Sequence, residues 1–202
     1  MKPFIDYYVW LNSDWAYLGA ERFRTICDEL DVQINLKPVD LPYVYSQTGG
    51  IVLEKRAKAR QDYRIAELKR WTKKLGININ FTPKYMCPNA DLASCLVIAV
   101  DEAGEDAYAL HEAILRAEWV EEQDISSPDE LQRILKEQGL DETHYLEQAN
   151  NQNIVAKYKK YTQEAIERGV FGSPFYVYED ELFWGQDRLG MLRETIEASL
   201  RR

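Results

Sequence analysis

Val170-Phe171-Gly172-Ser173-Pro174-Phe175-Tyr176-Val177 is followed after a short gap by Phe183-Trp184-Gly185-Gln186-Asp187-Arg188. Together these stretches spell a helix stop, a strand entered through a proline, a short hairpin and a polar turn that opens a last helix. Gly169 suits the left-handed residue that ends a helix. Pro174 stands at the head of an aromatic, β-branched run, where its missing N–H is not needed by the ladder. X-Pro bonds reach the cis form far more cheaply than other peptide bonds. A cis Ser173–Pro174 bond would leave the backbone of Ser173 free to pair with an extended, peptide-like ligand.

The chain start agrees with this reading. A strand over 4–10 runs into Asn12-Ser13-Asp14-Trp15-Ala16-Tyr17-Leu18, which turns into a helix over 15–30. Gly19, Phe23, Ile26, Cys27 and Leu30 share one face of that helix. A second strand over 33–39 completes β-α-β, which implies a parallel pair and a right-handed crossover. Residues 40–50 read as a loop whose length points to a ligand role. Residues 54–75 read as a helix with Ile65, Leu68, Trp71 and Leu75 as its apolar stripe. Its basic residues Lys55, Arg56, Lys58, Arg60, Arg64, Lys69 and Arg70 read better as a solvated face than as an anion site. A proline-bearing loop over 81–89 precedes a buried helix over 92–103 and another over 108–120. Ser127-Pro128-Asp129-Glu130 is a strong helix start. Helices over 142–150 and 153–168, strands over 175–178 and 182–184, and a helix over 187–200 follow.

This order predicts an α/β fold: a thioredoxin-like β-α-β…α-β-β-α sheet with a large all-helical insertion. Residues 1–50 and 165–202 would make a discontinuous thioredoxin-like domain, and 51–164 a helical insertion domain. In such folds the turn after the first strand carries the active site, and redox members place C-x-x-C there. Here the four positions are Ser13, Asp14, Trp15 and Ala16. Without a cysteine the turn has no disulfide exchange to offer.

A length of 202 residues suits one domain, or one with an insertion. With 25 basic against 34 acidic residues the net charge is −9, which argues against a nucleic-acid or anionic-membrane partner. A local basic pocket for a small anion stays open. No apolar run is long enough to span a bilayer, and the first residues do not resemble a secretory signal. Cys27, Cys87 and Cys95 are odd in number and lack metal-ligand spacing. They are expected as buried thiols in a cytoplasmic protein. His111 and His144 lack a triad partner in sequence and read as ordinary histidines. No metal constellation or phosphate loop is visible.

The chain resembles the 2-hydroxychromene-2-carboxylate isomerases, relatives of kappa-class glutathione transferases within the DsbA-like thioredoxin superfamily. The likeness covers almost the whole chain. It rests on the strand leading to Ser13 and Tyr17-Leu18, the loop from Lys37-Pro38 to Gly50, Leu68-Lys69-Arg70-Trp71, and the 170–188 block, which is the most specific. The resemblance implies glutathione as cofactor, a small aromatic substrate and, since relatives are commonly dimers, a homodimer.

By the same resemblance Ser13 is the catalytic serine that holds the glutathione sulfur as a thiolate. A free thiol has a pKa near about 8.5. The thiolate is the nucleophile, so a hydroxyl donor and the positive end of a helix would both help. Serine is also a favoured helix N-cap, a role Ser13 would fill in any case. Ser173 matches the position whose backbone pairs with the cysteinyl part of glutathione. Gln186, Asp187 and Arg188 match the polar turn that grips the γ-glutamyl end. Lys37 would face the anionic substrate or the glycyl carboxylate of glutathione, Tyr85 would line the substrate pocket, and Trp15 would add an aromatic wall. Many relatives carry an aliphatic residue where Ser173 stands, a change that a backbone role survives, and two further positions depart from the family. Asp14 stands where proline is usual, and a carboxylate pointing at the sulfur would oppose thiolate formation. Gly50, assigned to the substrate side of the site, stands where asparagine is usual.

Three activities follow. The first is glutathione-dependent isomerisation of 2-hydroxychromene-2-carboxylate or a related aromatic catabolite. The second is a kappa-like transferase or peroxidase, which consumes the thiol. The third is a non-catalytic protein that binds a thiol or a peptide.

Overall fold

A computed structural model describes residues 2–201 of the chain. Strand β1 (Phe4–Val9) leads through helix α1 (Asp14–Glu29) to strand β2 (Gln33–Pro38). Then come α2 (Leu41–Thr48), a 3-10 turn (Leu53–Lys55), α3 (Lys58–Leu75), α4 (Asp91–Glu102) and α5 (Ala107–Trp119). Helices α6 (Pro128–Glu137), α7 (Glu142–Ala149) and α8 (Gln152–Glu167) follow. The chain closes with the hairpin β3 (Phe175–Tyr178) and β4 (Glu181–Trp184), a 3-10 turn (Gln186–Arg188) and α9 (Leu189–Leu200). The sheet order is β2-β1-β3-β4. β1 and β2 are parallel, and the other two pairings are antiparallel. This is the thioredoxin-like sheet with inserted helices that the element order predicts.

Side chains alternate across β1, so its two faces pack into different layers. Ile5, Tyr7 and Val9 join the main core with residues of α1, α4 and α5. Tyr8 points the other way, into a smaller cluster with Val39, Ala165, Val170, Phe175 and Val177 beneath α8. In the main core the Tyr7 and Tyr176 rings stack at 5.1 Å, and Phe23 tilts against both. His111 lies in this core, 3.5 Å from the Tyr7 hydroxyl. Burial pushes its imidazole down to about 3, so it stays neutral, in keeping with a structural histidine.

Residues 40–50 differ from the loop expected of them. The Asp40 carboxylate accepts the Tyr43 N–H at 3.0 Å, Pro42 sits in the first turn, and Gly49 closes α2 at φ 80°. Cap, proline and left-handed glycine are all helix signals. In so short an element they outweigh a weak apolar period. Residues 187 and 188, read as the start of the last helix, belong instead to a separate 3-10 turn over Gln186–Arg188.

One close approach positions the site. A Cβ on Gly19 of α1 would lie 2.8 Å from the Gln186 Cβ and 3.3 Å from the Tyr176 hydroxyl. Only glycine lets α1 approach the 186–188 turn this closely.

Candidate active site

The two serines singled out in the sequence meet at the end of β1. Ser13 caps α1: its Oγ accepts the Ala16 N–H at 3.1 Å and donates to the Ser173 carbonyl, also at 3.1 Å. The Trp10 N–H donates to the Ser173 Oγ at 2.9 Å. The Ser173–Pro174 bond is cis. Ser13 is only 4% exposed, so its one hydroxyl proton already has a partner.

Beside this pair opens a cavity of about 510 Å³. Trp15, Ser173, Trp184 and the Gln186–Arg188 turn line one side, and Arg56, Arg60, Tyr63, Arg64 and Trp71 line the other. Arg22 donates to the side-chain Oε1 of buried Gln186, which leaves the amide nitrogen of Gln186 as its free donor. The Asp187 carboxylate is partly exposed and 2.9 Å from the Arg188 guanidinium. A carboxylate that accepts from an ammonium, beside an amide N–H and the start of α9 that donate to a carboxylate, suits an α-amino-acid end. A larger hollow, about 750 Å³, lies between α2, α4 and α8. Neither serine borders it.

The basic wall was hidden in the sequence. Arg60, Tyr63, Arg64, Glu67 and Trp71 follow the i, i+3, i+4, i+7, i+11 period of one helical face, and all line the cavity. In sequence Trp71 reads as part of an apolar stripe, and Arg60 and Arg64 read as solvated. Arg56 reaches the same wall from the 3-10 turn, donating to the Ile51 carbonyl at 2.7 Å and to the Tyr45 hydroxyl at 3.3 Å. Arg60 is exposed and has no carboxylate partner among the described residues.

Behind the turn sits a buried charge cluster. Asp14 accepts the Trp15 N–H at 2.8 Å through Oδ1, and its Oδ2 pairs with Arg64 of α3. Burial raises the Asp14 carboxyl and Arg64 opposes the rise. Arg64 also lies over the ring of buried Trp119, 5.7 Å from the centroid. Glu118, fully buried, accepts the Cys87 N–H at 2.9 Å. Burial pushes the Glu118 carboxyl up to about 8 and, with the acids nearby, pushes the Cys87 thiol up to about 12. The carboxyl beside Ser13 therefore points back into a paired cluster.

Three expected substrate residues lie apart from this cavity. Lys37 is drawn to the opposite face of the sheet: its Nζ lies 2.8 Å from Asp6 and 2.6 Å from Glu164. Strand alternation decides this, since Lys37 pairs with Tyr8, which faces α8. Tyr85 is half-buried, with Lys84 over its ring, and does not line the cavity. Gly50 is exposed and supports the rim from outside. A Cβ there would fall 2.1 Å from the Tyr45 ring, so the usual asparagine has no room while Tyr45 holds Arg56.

The DSBA-like thioredoxin domain family matches residues 4–197. A 2-hydroxychromene-2-carboxylate isomerase from Sphingobium xenophagum is 26% identical over 197 residues, covering 97% of this chain and 99% of that protein. The solved structure of a 2-hydroxychromene-2-carboxylate isomerase superposes with a TM-score of 0.82 at 25% identity, covering 98% of this chain and 96% of that one. A probable DsbA oxidoreductase from Streptomyces coelicolor reaches a TM-score of 0.80 at 14% identity, covering 99% of this chain and 91% of that one, and shows the fold alone. Proteins of different chemistry share this scaffold, so activity has to be argued from the site.

Proposed function

This chain belongs to the DSBA-like thioredoxin domain family, and from that premise we propose that it isomerises 2-hydroxychromene-2-carboxylate or a closely related aromatic anion with glutathione as cofactor. The observation that carries the reading is the cavity: aromatic rings, together with Arg56 and Arg60, which have no carboxylate partner among the described residues, share it with Ser173 and the Gln186–Arg188 turn. Full-length similarity to named isomerases supports the reaction class.

Bound glutathione would supply a sulfur nucleophile that adds reversibly to a conjugated acceptor and is released unchanged. The chain's own residues do the rest. Asp187 would take the α-ammonium, and the Gln186 amide and the start of α9 the α-carboxylate. Ser173 would offer its backbone to the cysteinyl unit once Ser13 turns its hydroxyl from the Ser173 carbonyl toward the sulfur. That rotation keeps the Ala16 N–H on Ser13 Oγ, so the hydroxyl stays oriented by the helix start. Trp15, Trp71 and Trp184 would enclose an aromatic ring. Arg56 and Arg60 would hold its carboxylate, since Lys37 does not line the cavity and is paired with Asp6 and Glu164. Free, buried Cys27 and Cys95 suit a reducing compartment, which supports a cytoplasmic site of action.

Calorimetric titration of glutathione into wild type and Asp187→Ala tests the cofactor site. Charge-assisted contacts are worth about 1.5–3 kcal/mol, so the variant should bind roughly 10- to 100-fold more weakly. Absence of wild-type binding at millimolar glutathione would remove the cofactor from the reading. Product analysis then separates isomerisation, which leaves free thiol constant, from a transferase or peroxidase, which consumes it. A binding protein without turnover is the second reading, favoured by the Ser13 hydroxyl being already engaged at 3.1 Å. Catalytic turnover that disappears in Ser13→Ala would exclude it.

A further inference from the structure

The carboxylate beside the catalytic turn has a partner, and that partner comes from the other wall of the cavity. Asp14 and Arg64 are both nearly buried, with side chains 6% and 10% exposed. In so dry a place an unpaired carboxylate next to Ser13 would work strongly against a second anion. Asp14 also takes the Trp15 N–H and Ser13 takes the Ala16 N–H, so these two donors of the α1 start are already used. The cation in contact with that negative charge is the Arg64 guanidinium, with Arg56 farther off. Arg64 is held in turn by its position over Trp119.

We propose that Arg64 is a positioning residue acting through Asp14: the buried pair ties the Ser13 turn to helix α3 and cancels the carboxylate's field at the sulfur that Ser13 would face. The proposal rests on the glutathione reading and adds to it the residue that makes Asp14 tolerable in this turn. The charged and titratable groups facing Asp14 are Arg64 from α3, Arg56 from the 3-10 turn, Tyr45 from α2, Cys87 from the 81–89 segment and Glu118 from α5. Of these, Arg64 is the one in ion-pair contact.

The test is the ultraviolet absorbance of the thiolate of bound glutathione, titrated against pH in wild type, D14N, D14N/R64M and R64K. Removing only the carboxylate leaves the Arg64 charge unopposed, so D14N should lower the thiol midpoint by about one pH unit. Removing both should return it to the wild-type value, and R64K, which keeps the charge, should titrate like wild type. A purely structural role for the pair would not produce a shift that the second substitution cancels. Circular dichroism checks folding, and D14N/R64Q replaces the double variant if the methionine is not tolerated. Identical midpoints in D14N and the double variant, or a D14N midpoint at or above wild type, would overturn the proposal alone. A wild type that shows no thiolate signal and no glutathione binding would overturn the cofactor reading and this proposal together.

Discussion

Two buried ion clusters flank the sheet, and they balance differently. On the α8 face, Lys37 and Arg168 meet Asp6 and Glu164, two cations against two carboxylates. Behind the Ser13 turn, Arg64 is the one cation in ion-pair contact with Asp14 among the described residues, and Glu118 lies nearby. In the first cluster every charge has a partner. Burial opposes ionisation of Glu164, but hydrogen bonds from Lys37 and Tyr8 outweigh it and hold the carboxyl below its usual range. In the second cluster one carboxyl is in surplus, and burial resolves the imbalance by keeping the proton on Glu118 up to about pH 8. The same residue types thus make a fixed structural clasp in one place and a titratable cluster in the other, and partner accounting decides which.

The largest expected effect follows from that surplus. An unfolded chain releases a glutamic proton near pH ~4.3, whereas Glu118 in the fold keeps it to about 8. Between those values the unfolded state binds fewer protons, so the Glu118 contribution to stability is greatest below the unfolded value and declines as pH rises. The decline is on the order of 5 kcal/mol over this interval, at about 1.4 kcal/mol per pH unit. E118Q cannot titrate, so its stability should vary much less over this range. Urea midpoints of the two proteins at about pH 5 and pH 8 measure the difference, and parallel profiles would show that the proton is not held by Glu118.

The balanced cluster should respond to loss of a partner instead. K37M removes the cation that Asp6 and Glu164 share, leaving Asp6 to Arg168 and Asn35 and Glu164 to the Tyr8 hydroxyl, and should cost about 3 kcal/mol of stability by chemical denaturation at neutral pH. Glu164 is stabilising above its unfolded pKa, and that contribution is lost as pH falls through its lower folded value, so K37M should also flatten the acid side of the profile. Activity per folded molecule should stay at the wild-type level. A selective rise in KM for the aromatic anion would return Lys37 to the substrate site.

A smaller effect tests the rim. G50N restores the asparagine usual in the family but sets its Cβ against Tyr45, whose hydroxyl holds Arg56. Overpacking of this kind costs about 1–3 kcal/mol. A thermal midpoint at or above that of wild type would mean that Tyr45 can move aside.

Much of this was legible because local chemistry wrote it. Pro174 after Ser173, the Ser13 cap and the 186–188 turn each carry their meaning within a few residues, and the structure brings Ser13, Ser173, Trp15 and Gln186–Arg188 to one place. Lys37 was misread because a one-residue alternation along β2 decides which face a side chain joins, and only the partners Asp6 and Glu164 reveal the answer. The Asp14–Arg64 pair links positions fifty residues apart, a distance over which no sequence period runs. On α3, Trp71 reads as part of an apolar stripe and Arg60 and Arg64 as solvated, and nothing in sequence said that a cavity rather than solvent lay opposite. Residues 40–50 hid a helix because caps at both ends, rather than an apolar stripe, specify it.

The smallest expected effect separates the two clusters from the open wall between them. Lys37 and Arg64 are spent on carboxylates, while Arg60 has none among the described residues and faces the cavity. A charge free of internal partners costs the fold little when removed, and acts on a ligand through solvent-screened attraction. R60A should therefore keep wild-type stability and glutathione affinity while raising KM for the aromatic carboxylate by roughly 2- to 10-fold. Added salt should raise the wild-type KM toward that of the variant, because salt screens what the substitution removes. A KM difference that persists at high salt would mean that Arg60 makes a direct, desolvated contact, as Arg64 does with Asp14. No difference at low salt would leave Arg56 as the arginine that meets the substrate, and would confine the binding wall to the side chain that Tyr45 already holds.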